Sequence, residues 1–201
     1  MMKLSRSIAL VLVLLGALLA EGCSLLRGPD PVPTQFFVLT SRTPRAQEAK
    51  QDVSLGVGPL SFPSYLERPQ MLSRKQQNQI AVSGSNRWAE PLKDSFLRVL
   101  AEDLGKLVGT SEVVMFPWYK TPLTYQIKLE VLRFEPTWEG QAVLQAIWTL
   151  YEPKRDRYVV TRHEDLHQSV DSGDPEAVAG AMSDLVGDLA AVITKAIRST
   201  K

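Results

Sequence analysis

Between residues 125 and 131 the chain alternates strictly: Tyr125, Ile127, Leu129 and Val131 are separated by Gln126, Lys128 and Glu130. Successive strand residues point to opposite faces, so the pattern predicts a strand with one buried and one wet face. Leu132 and Phe134 then fall on the other parity, which predicts a bulge near Val131. Residues 143–151 are apolar on both parities, with Leu144, Ala146, Trp148 and Leu150 against Val143, Ile147 and Tyr151. That pattern predicts a strand in the middle of the sheet, covered on both faces. Residues 158–170 carry more polar side chains and are expected nearer an edge. Shorter apolar runs at 36–39, 53–60 and 79–83, bounded by Pro, Gly and polar clusters, add three more strands. The polar run 43–52 reads as a loop.

Two segments have helical period instead. Pro91 suits a first helical position, Leu92, Phe96, Val99, Leu100, Leu104, Leu107 and Val108 recur at three and four, and Gly109 ends the run. Further on, Asp174 caps, Pro175 opens the first turn, and Val178, Ala181, Met182, Leu185, Leu189, Val192, Ile193 and Ala196 form the stripe. Neither polar side is rich in Lys and Arg, so both stripes are expected to pack on a sheet rather than on a membrane surface. The fold expected is α/β: a single domain, its mixed β-sheet packed by two main amphipathic helices.

The start of the chain differs in kind. Lys3 and Arg6 precede thirteen uncharged, mostly aliphatic residues from Ile8 to Ala20, followed by Glu21, Gly22 and Cys23. This is the layout of an export signal, and the run is shorter than the roughly 18 to 20 apolar residues of a membrane span. The single cysteine of the chain stands where the signal ends. Residues 1–22 are therefore expected to be a cleaved lipoprotein signal, with Cys23 acylated and inserted in a membrane. Residues 23–35, with Pro29, Pro31 and Pro33, form the lipidated start and an extended tether, and residues 36–201 form the domain.

Once residues 1–22 are removed, 23 bases and 22 acids become 21 of each, and the mature chain is formally neutral. No basic stripe is left for a nucleic acid. Catalytic chemistry is thin: two histidines, no Gly-x-Ser-x-Gly elbow and no phosphate-cradling Gly-rich loop. His163 and His167 would lie about 13 Å apart along one strand face, too far to share a metal. No catalytic residue, metal or cofactor is assigned. A lipid-anchored, non-catalytic domain is the reading, with a lipoprotein that holds a small hydrophobic ligand as the alternative.

Three stretches carry a resemblance. Val57-Gly58-Pro59 leads to Pro63-Ser64-Tyr65-Leu66-Glu67-Arg68-Pro69-Gln70; Arg87-Trp88-Ala89-Glu90-Pro91-Leu92 follows, and then Phe116-Pro117-Trp118. Together they resemble the PqiC/YmbA family of ABC-type transport auxiliary lipoproteins. The resemblance implies an outer-membrane anchor, a domain in the periplasm, an MCE-domain partner in lipid transport, and self-association as a homo-oligomer. It singles out Gly58, Pro59, Tyr65, Arg68, Pro69, Gln70, Arg87, Trp88, Glu90, Pro91, Pro117 and Trp118 as structural or interface residues. Arg68, Arg87 and Glu90 are expected to pair and pin a rigid loop over the first helix, with partner contact as the other role.

Overall fold

The computed structural model describes residues 32–44 and 52–200. Cys23, the expected signal and most of the expected tether lie outside the described residues. The strands are β1 (Gln35–Phe37), β2 (Leu55–Ser61), β3 (Gln70–Gln76), β4 (Gln79–Trp88), β5 (Val113–Met115), β6 (Tyr125–Pro136), β7 (Gln141–Glu152) and β8 (Arg157–Ser169). The helices are α1 (Leu92–Val108) and α2 (Pro175–Ser199), with one 3-10 turn at Ser64–Leu66 and another at Pro153–Arg155.

Five strands in the order β5-β2-β6-β7-β8 make the main sheet, and β1-β4-β3 make a second, smaller one. β2 pairs in parallel with both β5 and β6, while β6, β7 and β8 are antiparallel. The α/β class, the mixed sheet and the two helices agree with the sequence pattern. Pro91 does stand at the start of α1, and Gly109 closes it in the left-handed region at φ 80°, its N–H on the Gly105 carbonyl. In α2 the Asp174 carboxylate accepts from the Glu176 N–H.

Both helices lie on one face of the main sheet. Ile127, Leu129, Val131, Leu144, Ala146, Trp148 and Leu150 are all buried there against the helix stripes. Phe62, Phe96 and Phe134 meet edge to face, with centroids 5.2 to 6.4 Å apart. Such pairs add about 0.5 to 1.5 kcal/mol each beyond the area they bury. α2 is long and apolar enough to cross a membrane, but 67% of its most apolar stretch is buried inside the domain.

The register shifts between Val131 and Arg133, which places the bulge where the parity change put it. β7 departs from expectation. β6, not β7, is the middle of the five strands. The second face of β7 carries no helix, and Gln145, Ile147, Thr149 and Tyr151 are only half-buried there. Tyr151 shelters against Tyr158 of β8, ring centroids 5.1 Å apart, with Lys128 above both. Neighbouring side chains on one face thus give apolar residues partial cover without a second layer.

Residues 39–44, expected to pass from strand into loop, form a strap over the two helices. The Thr40 N–H donates to Ser183 Oγ at 3.1 Å, Arg42 pairs with Asp184 at 3.2 Å, and Arg98 donates to the Leu39 carbonyl at 3.1 Å. On α2, Gly180 and Gly187 face the strap. A Cβ on Gly187 would lie 2.7 Å from Thr43 Oγ1, and one on Gly180 would collide with the Arg42 guanidinium. Ser41 donates to Asp103 of α1 and accepts from Lys106 Nζ at 2.6 Å.

Candidate functional site

The singled-out residues fall into three neighbouring constructions. The first is a groove of about 430 Å³ lined by Glu67, Arg68, Pro69, Trp88, Ala89, Glu90, Pro91, Leu92, Lys93 and Asp94. Two stretches about twenty residues apart in sequence meet here because β3 and β4 pair antiparallel, with Gln70 opposite Arg87 and the Trp88 N–H on the Pro69 carbonyl at 2.7 Å. β1 closes the other side of β4, and the Ala89 N–H donates to the Phe37 carbonyl at 2.9 Å. Trp88 and Leu92 are buried and form the floor, while Arg68, Pro69, Ala89 and Pro91 are exposed.

The expected pairing of Arg68, Arg87 and Glu90 is not what holds this loop. Glu90 bonds Arg98 at 2.6 Å, which keeps its carboxyl below the ordinary range. Arg98 reaches it from the second turn of α1, so the helix supplies the cation that the loop was expected to supply. Arg87 donates instead to the carbonyls of Ser83 and Gly84. The backbone bonds of β3, β4 and β1 do the pinning, and they leave Arg68 on the rim without an ion-pair partner among the described residues.

The second construction fixes the turn that leads into the groove. Tyr65 OH donates to Glu135 Oε2 at 2.7 Å, and Arg74 and Arg133 each reach Glu135 Oε1 at 2.7 Å. Burial pushes the Glu135 carboxyl up, but the Tyr65, Arg133 and Arg74 bonds outweigh it and hold the group below its usual value. Burial, followed by the bond to Glu135, lifts the Tyr65 hydroxyl to about 12. The Trp138 N–H donates to the Arg74 carbonyl at 3.0 Å, so this ionic knot also ties the small sheet to the large one. Sequence reading selected Tyr65 but missed Glu135, Arg74 and Arg133. A carboxylate set between Phe134 and Pro136 was the one local hint.

The third construction joins Gly58 and Pro59 to Pro117 and Trp118. The parallel pairing of β2 with β5 puts Val57 opposite Met115, and the Phe116 N–H donates to the Val57 carbonyl at 2.9 Å. The Gly58–Pro59 and Phe116–Pro117 peptides are both cis. Gly58 sits at φ +114°, and a Cβ there would come within 2.7 Å of Phe116 Cβ. A Cβ on Gly56 would strike Leu123 and the Trp118 ring. Phe116 and Trp118 pack edge to face with centroids 5.3 Å apart. Pro59 and Lys93 both line a shallow hollow beside Lys128, Glu130, Ile147 and Thr149, so this construction adjoins the groove.

Nothing in these constructions pairs a nucleophile with a base. His167 lies 2.9 Å from Asp165 on β8, and no group of three or more metal-ligating side chains occurs among the described residues. The described surface is that of a mixed-sheet α/β domain with braced loops, an apolar-floored groove and a charged rim.

The sequence comparison gives the class its family. The chain belongs to the family of ABC-type transport auxiliary lipoprotein components, whose model matches residues 37–194. It is thus an auxiliary lipoprotein of a transport system, with a transporter as partner. No curated protein matches it. Among solved structures, a Xanthomonas campestris protein of family DUF330 is similar over 83% of this chain and 100% of its own, at 19% identity and a TM-score of 0.67. A crystal structure of an uncharacterized protein covers 83% of this chain and 99% of its own, at 17% identity and a TM-score of 0.68. At these identities the likeness is one of fold.

Proposed function

We propose that this chain is a non-catalytic accessory subunit of an MCE-type intermembrane lipid transport system. Acylation of Cys23 anchors it in the outer membrane, and the domain works in the periplasm. The groove between Glu67–Pro69 and Trp88–Asp94 is the contact for the MCE-domain protein. The observation that carries this reading is the convergence of two separated stretches of the resemblance on one groove, whose rim presents Arg68 unpaired. Exposed arginine beside a rigid apolar floor is the composition of an interface anchor. A ring of identical subunits around the partner is compatible with the rigid, half-covered sheet face.

The test is a mild-detergent pull-down of the tagged full-length chain from membranes of its native host, with the mass at residue 23 read on the same sample. An MCE-domain protein should co-purify with the acylated form, and Arg68→Glu should reduce its recovery by about tenfold, as for loss of an interface anchor. Recovery of the acylated chain alone, or with a stoichiometric small lipid, would replace this reading with that of an independent ligand-binding lipoprotein. Recovery unchanged in Arg68→Glu would remove the groove from the interface.

A further inference from the structure

The loop after β5 is a dense run of exposed apolar side chains among the described residues. Within five residues, Met115 is 45% exposed, Phe116 50% and Tyr119 85%, and Trp118 between them is half-buried. Val32, Phe36 and Val38 form a looser exposed group around β1, and the other exposed large apolar residues sit on strands or singly. An exposed cluster of this kind marks a contact surface.

These rings do not hang free. Phe116 and Trp118 rest on the side-chain-free backbone of Gly58 and Gly56 and brace each other edge to face. Leu123, 3% exposed, closes the loop from below. The outer edges of the rings are thus presented on a rigid base, and no ordering of the loop is needed before contact. Lys120 follows directly, exposed and with φ 51°. From residue 113 to residue 128 the chain holds Lys120 and Lys128 and no carboxylate.

We propose that residues 115–120 are a membrane-contact wedge that rests in the headgroup region of a phospholipid bilayer. Trp and Tyr rings, apolar in body and polar at one tip, concentrate at that depth. Met115 and Phe116 supply the apolar body that enters the acyl boundary, and Tyr119 keeps its hydroxyl among the headgroups. Lys120 spreads its methylene stem on the interface and places its ammonium among phosphates. The absence of carboxylates removes repulsion from the phosphate layer. A protein groove would also take these rings, but an exposed lysine beside them and no carboxylate from residue 113 to residue 128 suit a phosphate layer. A single point of attachment leaves a tethered domain free to turn; a second, at this loop, fixes which face it turns to the bilayer. The proposal holds for an auxiliary lipoprotein whatever its transport partner is.

The test uses the full-length acylated chain in vesicles of phosphatidylethanolamine and phosphatidylglycerol that carry bromine on the acyl chains. Trp138→Phe removes the exposed Trp138 indole, which lies far along the chain from this loop, and Trp88 and Trp148 are buried. Trp118 emission should be quenched by the bromolipid and shielded from aqueous acrylamide. Tyr119→Ser, at a side chain 85% exposed, should reduce the quenching by about twofold, and Phe116→Ser with Tyr119→Ser should abolish it, since interfacial rings share the anchoring. Tyr119→Ser keeps the test valid if Phe116→Ser disturbs the loop. Trp118 emission that bromolipid leaves untouched in the anchored protein would overturn the proposal. So would acrylamide shielding that appears only when a co-purified protein is added.

Discussion

Glu135 and Asp103 are both withdrawn from water, at 1% and 0% exposure, but their surroundings push them in opposite directions. Glu135 is met by two guanidinium groups and a phenol, and its carboxyl lies below the usual range. Asp103 meets one hydroxyl firmly, and its Oδ2 has no hydrogen-bond partner among the described residues. Burial raises it, and the Ser41 and Thr43 hydroxyls and the Lys106 charge offset that only in part. Burial alone therefore does not say whether a carboxylate stabilises a fold; the number of donors brought to it does. Glu135 holds the two sheets together beneath the groove. Asp103 anchors the strap that follows β1.

The largest break in this contrast comes from Glu135→Ala. It strands Arg74 and Arg133, whose side chains are 21% and 23% exposed, and should cost about 3 kcal/mol in urea unfolding. A loss below about 1 kcal/mol would show that the two guanidinium groups simply return to solvent. Tyr65→Phe removes one bond of the same knot and leaves both arginines on Glu135. It should cost about 1 to 1.5 kcal/mol, read by thermal unfolding at a Tm a few degrees lower.

Asp103→Asn should have the smallest effect and the opposite sign, a gain of about 0.5 kcal/mol at neutral pH. The pH dependence sharpens this prediction. Glu135, held below its unfolded value near 4.5, contributes stability that is complete above that pH and is lost as pH falls through its lower folded value. Asp103, held above its unfolded value near 3.8, contributes stability present below that pH and lost as pH rises through its folded value. The advantage of Asp103→Asn should therefore shrink as pH falls and vanish below 3.8. A constant difference from pH 3 to pH 7, measured by urea unfolding of both chains, would mean that folding leaves the Asp103 carboxyl at its unfolded value.

Local periodicity carried the elements with a clear inside and outside. The parity break after Val131 announced its bulge because a core face cannot change sides without one. The spacing of Leu92, Phe96 and Leu100 announced α1, and Asp174 and Pro175 announced the start of α2. Gln70–Gln76 gave no such signal, because Ser73, Arg74 and Lys75 interrupt it on a strand that is only partly covered. Val113–Met115 is three residues long, too short for a period. Apolar residues on both parities of β7 suggested two covering layers, whereas a tyrosine pair and long polar side chains shelter the second face. The resemblance singled out Tyr65, Arg68, Trp88 and Trp118, but Tyr65 and Glu135 are 70 positions apart, a pairing that no local pattern reveals. The partner of Glu90 escaped for the same reason: its cation came from a helix.

The stripe and length that make α2 a good core helix also shape the chain's early history. Before the sheet exists to receive it, a 25-residue segment apolar enough to cross a membrane is free to partition into any bilayer it meets. Asp184 and Asp188 stand near its midpoint, and a carboxylate at the centre of a membrane-inserted helix costs about 2.5 to 3.5 kcal/mol. In the finished domain the same two groups bind Arg42 of the strap and Gln168 of β8. The groups that make insertion of this segment costly are thus the same ones that fasten it in the folded domain.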